Sequence, residues 1–148
     1  MRQATVHDLE KLYKIERECF TAEAFSKEFL TILLQDLNSV SLIAQMDGEI
    51  VGFIIGLIQE VNGMKIGHIC TIDIAIKHRR KGVGIRLLKE IEEAFTKKGV
   101  QICYLEVRLS NFAAIELYRK RGYTEIEKLS NYYSKGMHGI RLQKQLSQ

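Results

Sequence analysis

Three cations and two glycines stand together in Arg79-Arg80-Lys81-Gly82-Val83-Gly84-Ile85, between a predicted strand and a predicted helix. Glycine lets a backbone approach a phosphate closely, and the first turn of a helix aims unpaired N–H groups and positive dipole charge at the same place. Such a segment could hold a pyrophosphate. The competing reading is an ordinary strand-to-helix turn with a solvated basic flank, because the run has neither the P-loop spacing nor the third glycine of a dinucleotide fingerprint. Glu106 is the second candidate. It shares a strand face with Ile102, Tyr104 and Arg108, so it is either paired with Arg108 at a sheet surface or available as a proton acceptor. Tyr118, three residues after Ile115, reads as a core tyrosine with a satisfied hydroxyl, and Asn111 as a helix cap. Cys19, Cys70 and Cys103 are widely separated and form no metal-ligand pattern; they read as reduced core residues, with no metal expected.

These groups need a scaffold, and the periodicity supplies one. Thr5-Val6-His7-Asp8 resembles a helix start, followed by an apolar stripe of Leu9, Leu12, Ile15 and Phe20; Ser26 caps a second helix carrying Phe29, Leu30, Leu33, Leu34 and Leu37. The segment from Thr21 to Phe25 reads as an exposed loop. Runs 40–46 and 49–60 are β-rich and separated by Asp47-Gly48, and Asn62-Gly63 offers a second primed turn, so strands two to four form an antiparallel meander. Strand four, 65–76, is expected to place Cys70, Ile72, Ile74 and Ile76 on one face and Thr71, Asp73 and Ala75 on the other. A helix then runs from Gly82 to Gly99, a strand from Gln101 to Arg108, a short helix to Arg121, and two strands, 123–129 and 138–146, joined through Asn131 to Gly136. A right-handed crossover makes strand five parallel to strand four.

Composition narrows the class. At 148 residues, one domain spanning 1–148 is expected. The net charge of +4 comes from 22 basic and 18 acidic residues spread along the chain, which a small anionic ligand explains. Aromatic residues are not interleaved with the basic run, which argues against a nucleic-acid partner. The longest apolar run, Ile50 to Ile58, is too short for a bilayer span and contains two glycines, and the N-terminus lacks a signal-peptide layout, so a cytosolic protein with no membrane partner is expected.

Two blocks carry a family resemblance. The run from Ile72 to Gly84 resembles the acetyl-CoA motif of the GNAT superfamily, whose core is Arg or Gln, two residues, Gly, one residue, then Gly or Ala. The run from Tyr104 to Tyr123, with Leu-Glu-Val-Arg, Ser-Asn, Ala and Leu-Tyr in order, resembles the ribosomal-protein alanine and archaeal N-terminal acetyltransferases. The resemblance implies an α/β (α+β) fold: a mixed, mostly antiparallel sheet of about seven strands with about four flanking helices. Acetyl-CoA would lie between splayed parallel strands four and five. It also implies cofactor contacts from Ile74, Ala75 and Ile76, pyrophosphate contacts from Arg79, Arg80, Lys81, Gly82, Val83, Gly84 and Ile85, and contacts to the pantetheine arm from Asn111 and Tyr118.

In that family pattern Glu106 is the general base, acting through water, and Tyr118 the general acid toward the sulfur, with a backbone N–H of Ile74 at the thioester oxygen and no acyl-enzyme. From its partly apolar face, Glu106 is expected to have a raised pKa. The resemblance points to a protein or peptide N-terminus as acceptor, with Phe20, Phe25, Tyr132 and Tyr133 on the flanking loops. The chain departs from those relatives where they have a proline after helix one and an acidic pair after the last hairpin glycine; here stand Ala22-Glu23-Ala24-Phe25 and Met137-His138. Acceptors that compete with an N-terminus are a lysine side chain and a small amine such as a polyamine. A non-catalytic binding module with a basic patch is the remaining alternative.

Overall fold

A computed structural model describes residues 1–20 and 23–146; Thr21 and Ala22, which open the expected loop, lie outside the described residues. Among the described residues there are seven strands and four α-helices: β1 (Arg2–Gln3), α1 (Leu9–Phe20), α2 (Lys27–Gln35), β2 (Ser39–Met46), β3 (Glu49–Val61), β4 (Met64–Ile74), α3 (Val83–Lys97), β5 (Ile102–Arg108), α4 (Phe112–Lys120), β6 (Thr124–Ser134) and β7 (Met137–Gln145). They form one sheet in the order β1-β2-β3-β4-β5-β7-β6. Every neighbouring pair is antiparallel except β4 and β5. None of the helices is long and apolar enough to cross a membrane.

Local chemistry explains the element ends. The Thr5–Asp8 capping box is present, with Asp8 accepting the Thr5 N–H at 2.9 Å, but it closes a short 3-10 turn, Val6–Asp8, that leads into α1. Ser26 caps α2 by accepting the Phe29 N–H at 3.1 Å. Asp47-Gly48 and Asn62-Gly63 all have positive φ, between 52° and 79°, as primed hairpin turns require.

Apolar residues fill both faces of the sheet. Leu87, Leu88, Ile91 and Phe95 of α3 pack on Val51, Ile54, Ile69 and Leu105, while Leu12 and Ile15 of α1 and Leu30 and Leu33 of α2 pack on Ile43, Phe53 and Ile55. Phe95 lies flat against Gly67, where a Cβ would come within 2.6 Å of its ring. Buried Glu92 accepts the Tyr123 hydroxyl and the Lys144 ammonium, both at 2.9 Å, and so ties α3 to the β6–β7 hairpin.

Three expectations are corrected. The simple alternation along β4 fails at Cys70: Thr71 pairs with Ile55 but Ile69 with Gly56, so Cys70 is a bulge and packs on the α1–α2 side with Leu57 and Ile50. β4 ends at Ile74, and Ile76 begins a 3-10 turn, Ile76–His78. Tyr132 and Tyr133 are not in a loop; β6 continues through Ser134 past a register shift, and Lys135-Gly136 makes the turn.

The parallel joint is short, and this positions the site. Only Ile66, Gly67 and His68 pair with Ile102, Cys103 and Tyr104. Beyond them β4 stays with β3 and β5 stays with β7, so the two strands diverge.

Candidate active site

The alternation of β5 decides which side chains face the cleft. Cys103, Leu105 and Val107 join the core beneath α3, leaving Ile102, Tyr104, Glu106 and Arg108 on the opposite face. There Glu106 Oε1 lies 2.8 Å from His68 Nε2, and Glu106 Oε2 accepts a hydrogen bond from Arg141 Nε at 2.9 Å. Arg141 also reaches Glu127 at 2.5 Å. Tyr104 floors the group: its ring stacks on His68 with centroids 4.5 Å apart, and the Arg141 guanidinium lies 5.7 Å from its centre.

Two sequence-based readings of Glu106 change. Its partner is Arg141, because Arg108 pairs instead with Glu23. Its carboxyl is not raised. Burial pushes it up, but hydrogen bonds and charge from His68 and Arg141 outweigh burial and leave it below the ordinary glutamate value. His68 responds in kind: burial opposes its charged form, yet contact with Cys70 and the bond to Glu106 lift the imidazole to about 9.

Tyr118 is buried on α4, edge-on to Tyr123 at 5.8 Å, and burial pushes its phenol up. Asn111 Oδ1 caps α4 by accepting the Ala114 N–H at 3.2 Å. The capping carbonyl leaves the amide N–H groups of Asn111 available as donors.

The basic segment has the geometry of an anion cradle. Arg80 (φ 64°) and Gly82 (φ 81°) adopt left-handed conformations, and among the described residues no side chain caps the start of α3. Gly84 lies close to Ile74, whose side chain would be 3.8 Å from a Cβ there. Val83 is half-buried and Ile85 exposed; Lys81 Nζ sits 3.5 Å from His78 Nδ1. Arg79 folds back, donating from Nε to Ile74 O at 3.1 Å and from Nη2 to Cys19 Sγ at 3.3 Å. The Ile76 N–H is taken by Glu18 Oε1 at 2.6 Å, and the Ala75 N–H by Val51 O at 2.9 Å.

On the other rim, Tyr132 is 48% exposed and stands perpendicular to Tyr133, centroids 5.0 Å apart. Arg108 lies over the Tyr133 ring at 5.6 Å, so its pairing with Glu23 brings the loop after α1 against the β6–β7 hairpin. Phe25 packs edge-on to Phe29 at 4.8 Å, and Phe20, partly buried, is the last residue of α1. Burial pushes the Cys19 and Cys103 thiols to about 11, which leaves them unsuited to nucleophilic work at neutral pH.

Sequence reasoning missed His68, Arg141 and Glu18. A polar residue between Gly67 and Ile69, and Arg141 alternating with Ile140 and Leu142, were legible as cleft-facing residues; their register against Glu106 was not.

A mixed seven-stranded sheet, a brief parallel joint opening into a cleft, and a glycine-basic turn at its edge define an acyltransferase architecture. The profile described as "Acetyltransferase (GNAT) family" matches residues 9–123. An N-alpha-acetyltransferase of Sulfurisphaera tokodaii is 33% identical, over 92% of this chain and 86% of that protein. The ribosomal-protein-S18-alanine N-acetyltransferase of Escherichia coli superposes with a TM-score of 0.87 at 25% identity, over 99% of this chain and 93% of the other. Arabidopsis thaliana NAA60, solved with acetyl-CoA, has the same fold, with a TM-score of 0.86 at 20% identity, over 98% and 97% of the two chains. The chain belongs to the GNAT acetyltransferase family and is an N-acetyltransferase.

Proposed function

We propose that this protein transfers the acetyl group of acetyl-CoA to the α-amino group of a protein N-terminus in the cytosol. The observation that carries this reading is the position of Glu106. It is a nearly buried carboxylate, held by His68 and Arg141 at the point where β4 and β5 part and below the Tyr132–Tyr133 rim.

Acetyl-CoA supplies an activated thioester. The uncapped start of α3, the left-handed Arg80 and Gly82, and the bare Gly84 fit a pyrophosphate, with Lys81 and Arg79 adding charge. Asn111 offers amide donors to the pantetheine arm, and the backbone from Ile74, the last residue of β4, to Ile76 in the turn after it pairs with the arm once the cofactor displaces Glu18 from the Ile76 N–H and Arg79 and Cys19 from the Ile74 carbonyl. Glu106 is ionised at neutral pH and takes the proton of the incoming ammonium through water; His68 and Arg141 hold its two oxygens in place. Tyr118, protonated because it is buried, gives its proton to the departing sulfur. Phe20, Phe25, Tyr132 and Tyr133 form the walls past which the acceptor backbone enters, and the Glu23–Arg108 pair closes one side of that entrance.

Release of free CoA thiol from acetyl-CoA tests the reading. Peptides with free N-termini are compared with N-blocked peptides carrying lysine, and with polyamines. Turnover confined to free N-termini is expected; turnover on lysine or polyamines alone would overturn the acceptor, and silence on every amine would overturn the activity.

A further inference from the structure

Beneath the acceptor-side loop, three polar side chains lie end to end in the core between α1 and β4. Glu16 and Asp73 are carboxyl groups exposed by only 2% and 1%. Thr71 stands between them, its hydroxyl oxygen 3.2 Å from Glu16 Oε1 and also hydrogen-bonded to Asp73 Oδ1. The other Glu16 oxygen, Oε2, accepts the backbone N–H of Phe25 at 3.0 Å. A chain of hydrogen bonds therefore runs from the cofactor strand to the loop.

The chain does not close without an extra proton. One threonine hydroxyl has one hydrogen and cannot donate to two carboxylate oxygens. Thr71 donates to one carboxyl and accepts from the other, so one carboxyl is protonated. Burial first, and then the neighbouring Glu16 carboxyl, hold Asp73 well above the usual carboxylate range, which puts the proton on Asp73. The groups acting on Asp73 or feeling its charge are Glu16 and Cys19 of α1, Thr71 of β4, Arg79 in the turn after β4, and Tyr118 of α4; the Thr71 hydrogen bond and then the Arg79 charge favour ionisation, but burial and Glu16 outweigh them, and the Arg79 guanidinium is engaged with Ile74 O and Cys19. Among the described residues Asp73 Oδ2 is buried with no hydrogen-bond partner, so ionising Asp73 would put a poorly compensated charge in the core.

We infer that Asp73, Thr71 and Glu16 are positioning residues that fasten the Phe25 loop to the cofactor strand through one shared proton, and that acceptor binding weakens when that proton is lost. The inference rests on the proposed entry of the acceptor past Phe25. Asp73 directly precedes Ile74, so the same fastener couples the thioester-facing end of β4 to the acceptor wall. Loss of the proton leaves Thr71 one hydrogen for two carboxylates: turning its hydroxyl toward the new charge on Asp73 gives up its bond to Glu16, and Glu16 and Asp73 then repel each other across the joint.

Asp73→Asn tests this, because the amide keeps the size and a permanent donor while removing the titration. Acceptor KM and kcat are measured for both proteins from about pH 6 to about pH 9, the range into which buried carboxyls titrate. Taking the ratio at each pH cancels the ionisation of the acceptor amine itself. The expected result is a KM ratio, wild type over variant, that rises about fivefold with pH, the worth of one lost hydrogen bond, with kcat ratios flat. A KM ratio independent of pH overturns the inference. Thr71→Val, which cuts the chain at its middle, is expected to raise acceptor KM at every pH while leaving acetyl-CoA affinity unchanged; an unchanged acceptor KM overturns it. Exchange of the Phe25 amide with solvent, followed by NMR without any substrate, reads the fastener independently of catalysis. Exchange that accelerates more steeply with pH in the wild type than in Asp73→Asn supports the inference, and parallel profiles overturn it, even if no amine proves to be a substrate.

Discussion

Glu106 and Arg141 are register partners across β5 and β7, and the antiparallel pairing brings Arg141 Nε to 2.9 Å from Glu106 Oε2. With His68 on the other oxygen, the carboxylate is held on two sides and kept ionised.

Glu106→Gln retains the shape and removes the proposed proton acceptor. It is expected to lower kcat by about 10²- to 10⁴-fold, the usual worth of a positioned general base. Acetyl-CoA affinity, read by calorimetry, should change little. Equal losses in both would mean that Glu106 shapes the cleft instead of moving a proton.

The contacts of His68 with Cys70 and Glu106 give stability a defined pH dependence. The folded-state pKa of His68, about 9, lies above its ordinary 6.5, so the stabilisation is fully present below pH 6.5 and is lost as pH rises through about 9. His68 is partly solvent-screened, which limits the effect to on the order of 2 kcal/mol. Urea midpoints between pH 6.5 and 9 should therefore fall more steeply for the wild type than for His68→Gln; parallel slopes would rule out His68 as the source.

Tyr118→Phe removes the proposed proton donor and keeps the ring that packs edge-on against Tyr123. A kcat lower by about 10²-fold is expected, with thermal stability within a few degrees of wild type. A thioester with a more acidic leaving thiol, which needs less protonation, should recover part of the loss. No recovery would count against Tyr118 as the acid.

Gly67→Ala tests the joint itself. Its Cβ would lie 2.6 Å from the Phe95 ring, and Phe95 is fully buried. Overpacking of this kind costs about 1–3 kcal/mol. Because Gly67 is one of three β4 residues paired with β5, the displacement should also reach the neighbouring His68. A denaturant midpoint unchanged from wild type would show that Phe95 moves freely.

The fold was legible where short-range chemistry decides it. Asp47-Gly48, Asn62-Gly63, Ser26 and the glycine-basic turn each state a turn or helix start in their own residue types. Glu106, Tyr118 and Asn111 stood out because two sequence blocks resembled a known family. What escaped was non-local. His68 and Arg141 meet Glu106 only through strand register, and a bulge at Cys70 reverses the facing of one residue with no local signal. The error over the Glu106 pKa has the same root, since its apolar neighbours are adjacent in sequence and its compensating charges are not.

The divergence of β4 from β5 leaves a bare strand edge in the middle of the sheet, the kind of edge that recruits other extended chains. Glu18 bonded to the Ile76 N–H, with Arg79 and Cys19 bonded to Ile74 O, blunts that edge with side chains of the same molecule. An acceptor or cofactor that pairs with β4 must trade against these internal contacts. The same contacts deny the edge to unfolded segments that would otherwise add to it as extra strands, so Glu18→Ala should aggregate sooner on gentle heating than the wild type.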